Sequence, residues 1–261
     1  MTTPNDRKAS LELLLRQLKL PSFSRFHEEA AIRAERESWS FGQYLYHLVE
    51  VELDERRQRR LQRNLKRSDL PQDKSLATLK QERYPARIRR QIAALCEGHF
   101  VDAGENVLVF GLPGRGKSHI CAAIAHELIH RGYTVLFTPA FQLVQRLLAA
   151  KRDLALEKLL RQLDRFDVVL VDDIGYIQQS REEMEVLFTF LAERYERRSV
   201  VVTSNLVFSQ WDKIFKDPMT TAAAIDRLVH HSTIIELEGP SFRADEAADR
   251  GTTKEHPDGE V

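Results

Sequence analysis

The stretch "NVLVFGLPGRGKSHICAAIAHELIHRG", residues 106–132, constrains the fold more than any other part of the chain. An apolar, β-branched run reads as a strand, a glycine-rich octapeptide as a loop, and the alanine- and isoleucine-rich continuation as a helix. The octapeptide Gly111, Leu112, Pro113, Gly114, Arg115, Gly116, Lys117, Ser118 has the form Gly-x4-Gly-Lys-Ser, a phosphate-binding loop. Its three glycines let the backbone curl until N–H groups point at phosphate oxygens. Lys117 is placed to reach the β- and γ-phosphates, Ser118 to hold Mg2+, and His119 follows them into the helix. A chance glycine loop would not require a strand before it and a helix after it. The expected ligand is a nucleoside triphosphate.

Further apolar runs follow: "YTVLF", "DVVLV", "SVVVT" and "STIIEL", separated by helical stretches. Strands alternating with helices predict an α/β fold with a parallel sheet covered on both faces. In such sheets ligands bind outside the carboxyl ends of the strands. "DVVLVDDIG" ends a strand in Asp172 and Asp173, the first suited to orienting Mg2+ and its waters, the second to polarising an attacking water. "VVVTSN" ends another in Asn205, which can contact that water or the γ-phosphate. Taken singly, an Asp pair or an Asn after a strand is an ordinary turn. Three strand ends together, with Lys117 about 55 residues before Asp172, favour function. Ser180 three residues before Glu183 predicts a capped helix start, and Thr138-Pro139 predicts another.

The first 68 residues read as helical. Leu11, Leu14, Leu15 and Leu18 fall at helical spacing, with Pro21 expected to stop that helix. A second helix fits "SRFHEEAAIRAERE". A third starts near Ser40, and its apolar positions Phe41, Leu45, Leu48 and Val49 give way to arginines. The resulting division is a helical N-terminal domain at 1–70, a basic linker and helix at 71–105, a nucleotide-binding domain at 106–243 and a disordered tail at 244–261. The net charge is zero, yet residues 1–100 hold 20 basic against 14 acidic residues, and 56–90 hold 13 against three. Such asymmetry points to a polyanionic partner. No apolar run approaches the roughly 18 residues of a membrane span, and the N-terminal leucines are too interrupted by charge for a signal peptide. Two cysteines, Cys96 and Cys121, form no disulfide framework. A cytoplasmic protein without a membrane partner is expected.

Most charge runs are solvated helix faces. In "ERRQRRLQRNLKR", however, no acidic residue lies between Glu55 and Asp69. Without such partners for i,i+4 pairing within the run, Arg56, Arg57, Arg59, Arg60, Arg63, Lys66 and Arg67 are assigned to DNA phosphates. Arg87, Arg89 and Arg90 extend the track. The aromatics Phe23, Phe26, Phe41, Tyr44 and Tyr46 are read as core rather than as base-stacking platforms. His230 and His231, lacking Cys or further His at metal spacing, are read as structural.

The phosphate loop, the Asp pair and Asn205, in this order, resemble the AAA+ ATPases. More narrowly, "LLLRQLKLPSF", "SFGQYLYHLVEVELDERRQRR", "VLVDDIGY", "VVVTSNLVFSQWDKIFKD" and "AAAIDRLVHHSTIIELEGPSFR" resemble the IstB-like ATP-binding proteins of insertion sequences, relatives of the DnaC and DnaI helicase loaders. The resemblance covers nearly the whole chain. It implies an AAA+ core without the usual C-terminal lid, since few residues follow Arg243. It also implies a protein that self-assembles on duplex DNA with ATP and Mg2+, selects target DNA and recruits a DDE-type transposase, regulating it through ATP hydrolysis. By the same resemblance, Gly111 to Ser118 match Walker A, Asp172 and Asp173 Walker B, and Asn205 sensor 1. Arg227 matches an arginine finger reaching a neighbouring subunit's nucleotide. Arg243 matches a terminal Ser-aromatic-Arg element near the nucleotide. Asp173 departs from the Glu of many relatives. A replicative helicase loader is the nearest alternative, and a small-molecule kinase acting as a DNA-indifferent monomer is the alternative from another class.

Overall fold

The structure is a computed structural model that describes residues 4–174, 180–206, 210–211, 218–239 and 241. The chain divides into two compact units, residues 1–63 and 64–261. None of the described helices is long and apolar enough to cross a membrane.

The first unit contains α1 (Pro4–Gln17), α2 (Pro21–Arg36) and most of α3 (Phe41–Arg67). Pro21 does not stop α1. Lys19 does, in a left-handed conformation (φ 56°) that lets the N–H groups of Lys19 and Leu20 donate to the carbonyls of Arg16 and Leu15. Pro21 is instead the first residue of α2, where a missing N–H costs nothing. The α2 N-terminus is capped from a distance: Ser22 N–H donates to Glu52 Oε2 at 2.8 Å, and Glu52 is 3% exposed. Of the four spaced leucines Leu11, Leu14, Leu15 and Leu18, the last of which lies just past α1, only Leu15 is buried. Core packing of the aromatics does not hold either. Phe41 is 95% exposed and Tyr46 is exposed, while Phe23, Phe26 and Tyr44 are half-buried. A unit this small buries little, and among its described residues Leu15, Ala30 and Leu48 are the buried apolar ones.

The second unit is a five-stranded parallel sheet in the order β2-β3-β4-β1-β5. The strands are β1 (Asn106–Gly111), β2 (Val135–Pro139), β3 (Val168–Asp172), β4 (Ser199–Ser204) and β5 (Ser232–Leu237), at the five runs read from the sequence. The crossovers carry α6 (Lys117–His130), then α7 (Ala140–Arg152) and α8 (Leu156–Leu163), then α9 (Arg181–Arg194); α10 (Pro218–Val229) precedes β5. Ahead of β1 lie α4 (Ala86–Cys96) and the single turn α5 (His99–Asp102). One sheet face packs Leu108, Phe110, Val169, Val171, Val200 and Val202 against Leu143, Leu147, Leu187 and Phe190. Alternate strand residues face the other side, where α6 packs on β1, β2 and β4 and α4 packs on α6. Cys96 and Cys121 are buried and unoxidised there, and burial pushes the Cys96 thiol up to about 11 and that of Cys121 higher still.

The Ser180 capping box forms as expected, with Ser180 Oγ accepting from Glu183 N–H and Glu183 Oε2 accepting from Ser180 N–H at 2.6 Å. Thr138 is not a cap. It pairs with Val171 inside β2, and Pro139, whose φ and ψ of −58° and 138° suit a strand end as well as a cap, takes the N-cap position of α7. The free edge of β2 is covered by the chain after α3, where Phe137 N–H donates to Ser68 O at 2.7 Å. The tail expected at 244–261 lies outside the described residues.

Candidate nucleotide site

Sheet register brings the strand-end residues together. Val109 and Phe110 of β1 pair with Thr203 and Ser204 of β4, and Val171 of β3 pairs with Val202. Gly111, Asp172, Asp173 and Asn205 therefore lie within two residue steps of one another along neighbouring strands. The loop leaves β1 at Gly111, where an added Cβ would meet Leu237 O of β5 at 2.8 Å. It enters α6 through Gly116, in the left-handed N-cap position (φ 82°). A helix N-terminus with exposed backbone N–H groups results, the ordinary host for phosphate. Lys117 is 7% exposed and donates to Gly111 O and Leu112 O, at 2.7 and 3.2 Å. Arg115 Nη1 donates to Leu237 O at 2.8 Å, which fastens the loop to β5.

One residue organises the acidic side. Thr203 Oγ1 donates to Asp172 Oδ1 at 2.7 Å and accepts from Asp173 N–H at 2.7 Å. Asp173 adopts φ 64°, a left-handed conformation that costs a non-glycine residue about 1 kcal/mol or more. Asn205 Oδ1 is buried and accepts no hydrogen bond among the described residues, a polar atom awaiting a partner. The Ser118 hydroxyl and Asp172 carboxylate are hard oxygen donors of the kind Mg2+ takes alongside phosphate and water, so these side chains fit that ion.

The cleft over the loop, about 290 Å³, has a wall that sequence reasoning missed. Lys74, Thr78, Leu79, Lys80, Arg83 and Tyr84, from the segment between α3 and α4, face Pro113 to His119 and Asp173. Five cationic side chains, Lys74, Lys80, Arg83, Arg115 and Lys117, thus meet one carboxylate, the balance a polyphosphate requires. The segment is stapled to α6: His119 Nε2 lies 3.1 Å from Thr78 Oγ1 and 3.3 Å from Ser75 O, and His126 Nε2 lies 3.0 Å from Pro71 O. His119 therefore uses its ring to hold the wall. Burial pushes the Tyr84 phenol up to about 12, so it stands neutral beside the cleft. No periodic pattern marks these residues, whereas Thr203 sat two positions before Asn205 and could have been read.

Arg227 lies on the last turn of α10 with its guanidinium over the Phe188 ring, 4.9 Å from the centroid. The helix end carrying it is anchored by Asn106, whose Nδ2 donates to the carbonyls of Arg227 and Leu228. Arg243 lies outside the described residues. The arginine run of α3 differs from expectation, because its acids sit just upstream. Arg56 Nε donates to Glu52 Oε1 at 2.6 Å, Arg59 lies 3.7 Å from the same oxygen, and Arg57 pairs with Asp54 at 3.1 Å. Arg56 also donates to Lys19 O. Arg60, Arg63 and Lys66 are exposed, and Arg67 stacks on Phe166.

Residues 13–249 match the model of the IstB-like ATP binding protein family. A protein of Sinorhizobium fredii named as an insertion sequence ATP-binding protein is 41% identical over 237 residues, covering 90% of this chain and 80% of that one. The corresponding protein of insertion sequence IS21 from Pseudomonas aeruginosa is 34% identical over 241 residues, 92% of this chain and 91% of that one. In fold, the crystal structure of DnaI superposes with a TM-score of 0.53 at 23% identity, over 67% of this chain and 95% of that one. A P-loop α/β core, a helical N-terminal region and a match along nine-tenths of its length make this chain a member of the IstB-like ATP binding protein family.

Proposed function

We propose that this chain is a DNA-dependent ATPase of insertion-sequence transposition. It binds ATP with Mg2+, assembles on duplex DNA as a homo-oligomer, and in that state selects target DNA and recruits a DDE-type transposase. The observation that carries the reading is the Thr203–Asp172–Asp173 relay beside a cationic phosphate loop, in a family named for insertion-sequence ATP binding.

The chain's own residues divide the work. Backbone N–H groups of the loop and Lys117 hold the phosphates, Lys117 exchanging Gly111 O and Leu112 O for phosphate oxygens. Ser118 and Asp172 would hold Mg2+, which would supply positive charge to offset that of the phosphates. Asp173 accepts a proton from the attacking water and Asn205 positions it. Leu79 and Tyr84 offer the base a partly apolar wall. Arg227 completes the site of a neighbouring subunit, which makes hydrolysis conditional on assembly. The exposed cations of α3 supply phosphate contacts to the duplex.

The deciding measurement is ATP hydrolysis by the purified full chain, with and without duplex DNA, alongside its sedimentation. Rate and assembly should both rise with DNA, and Lys117→Ala should lose ATP binding. If neither responds to DNA, the reading fails.

A further inference from the structure

Away from the nucleotide cleft, the turn after α9 and the junction between α10 and β5 gather three ligand-type side chains. Glu196 Oε1 lies 3.9 Å from His230 Nδ1 and 3.9 Å from His231 Nε2. The two imidazole centroids are 4.1 Å apart, and one ligand atom from each of the three residues falls within 4.8 Å of the others. Among the described residues this is the one such group of His, Cys, Asp and Glu. Glu196 precedes β4 and His231 precedes β5, so the group sits at the amino ends of the parallel strands. The phosphate loop leaves the carboxyl end of β1, on the opposite side of the sheet.

Both halves of the group are held by backbone. Glu196 adopts φ 54°, strained for a non-glycine residue, in a turn where the N–H groups of Arg197 and Arg198 both return to Arg194 O. Arg194 is itself 1% exposed and donates to the carbonyls of Leu163, Phe166, Asp167 and Ser199. On the other side, His231 O accepts from Asn106 N–H at 2.8 Å and His230 N–H donates to Asp226 O. The Tyr195 hydroxyl lies 2.8 Å from His230 Nδ1, a hydrogen bond that an ion taken by that nitrogen would replace. All three side chains are about half exposed, leaving coordination positions for water or for a donor from another molecule.

We propose that Glu196, His230 and His231 form a binding site for a divalent first-row transition ion. Zinc is the best match to two imidazoles and one carboxylate. Around a tetrahedral zinc, ligand atoms sit roughly 3.4 Å apart, so the two 3.9 Å separations from Glu196 need to close by about half an ångström, and the separation between the two histidines lies within 4.8 Å before closure. Exposed side chains accomplish that by small torsional changes. The ion would clamp the turn after α9 to the start of β5. This proposal departs from the reading of the histidine pair as structural: the third ligand comes from a turn more than thirty residues earlier, and no local spacing reveals it.

The test uses the full, tag-free, metal-stripped chain titrated with Co2+ and with Zn2+. Calorimetry and the visible absorption of bound Co2+ should report one ion per chain at this site. Affinity should fall at least tenfold in Glu196→Gln and in His231→Ala, and the Co2+ spectrum should vanish in the His230→Ala/His231→Ala double variant. Zn2+ should raise the Tm of the parent and not that of the double variant, whose circular dichroism should match the parent because the replaced rings are exposed. Absence of saturable binding to the parent overturns the proposal. So does binding or a thermal shift that the double variant retains.

Discussion

At the scale of single residues, the least conspicuous member of the candidate site governs its geometry. Thr203 holds the Asp172 carboxylate with its hydroxyl hydrogen and the strained Asp173 backbone with its oxygen. Valine keeps the shape and removes both bonds. Thr203→Val is therefore expected to lower kcat for ATP by about 100-fold with little change in KM, and Thr203→Ser to restore most of it, since positioning acts in the transition state. Steady-state kinetics on both variants distinguish this from a folding defect. Glu52 plays the comparable part in the first unit. Burial raises its pKa, but hydrogen bonds from Arg56 and from Ser22 outweigh that, and the net position is below the ordinary 4.5. A lowered carboxylate pKa means that the folded state binds fewer protons. Its stabilisation is thus present above pH 4.5 and lost as pH falls through the folded value. Glu52→Gln should cost about 1–3 kcal/mol near neutral pH and flatten that acid-side loss. Urea titrations across pH, followed by Trp39 fluorescence in a Trp211→Phe background, would measure both.

Among the elements, the two ends of the sheet do different work. At the carboxyl ends of β1, β3 and β4, Gly111 leaves no room for a side chain against Leu237 O, Asp173 is in a left-handed conformation, and Asn205 Oδ1 has no partner among the described residues. At the amino ends, Arg194 gathers carbonyls from the end of α8, the approach to β3 and the first residue of β4. Burial lowers its pKa to about 10, still well above neutrality, so the guanidinium stays charged. Replacing it with methionine keeps much of the volume but leaves four carbonyls, two of them in buried hydrogen bonds, without that donor. Arg194→Met should lose at least about 3 kcal/mol, read as a lower midpoint of chemical unfolding at unchanged slope. The strands themselves were legible because each is a short β-branched run flanked by polar turns. The Ser180 cap was legible because its two partners are three residues apart. Pro21 and Thr138 were misassigned because a proline marks a boundary without saying on which side of it the helix lies.

For the whole molecule, the arginine run and the proposed intersubunit site make separable predictions. Arg56 is bound to buried Glu52 and to Lys19 O, so Arg56→Ala should destabilise the first unit as well as weaken DNA binding. Arg57 and Arg63 are exposed, and replacing both with alanine should leave stability unchanged within about 0.5 kcal/mol. The slope of log affinity against log salt should then flatten by roughly two in duplex-binding titrations. An active site completed by Arg227 from a neighbour predicts complementation. Lys117→Ala and Arg227→Ala should each be inactive alone, and their mixture should regain a measurable fraction of parental ATPase activity on DNA. By itself the sequence determined the strand–loop–helix that holds phosphate, the five strands around it and the identity of the carboxylates at their ends. Each of those is written in local pattern, where side-chain period and backbone preference act over a few residues. Only the tertiary structure decided that Thr203 would hold Asp172 and Asp173, that the segment from Lys74 to Tyr84 would wall the cleft, that Glu52 would claim Arg56, and that Glu196 would meet His230 and His231. Those contacts join residues from separate elements or different turns of a helix, and strand order, register and turn geometry settle them after the local elements have formed.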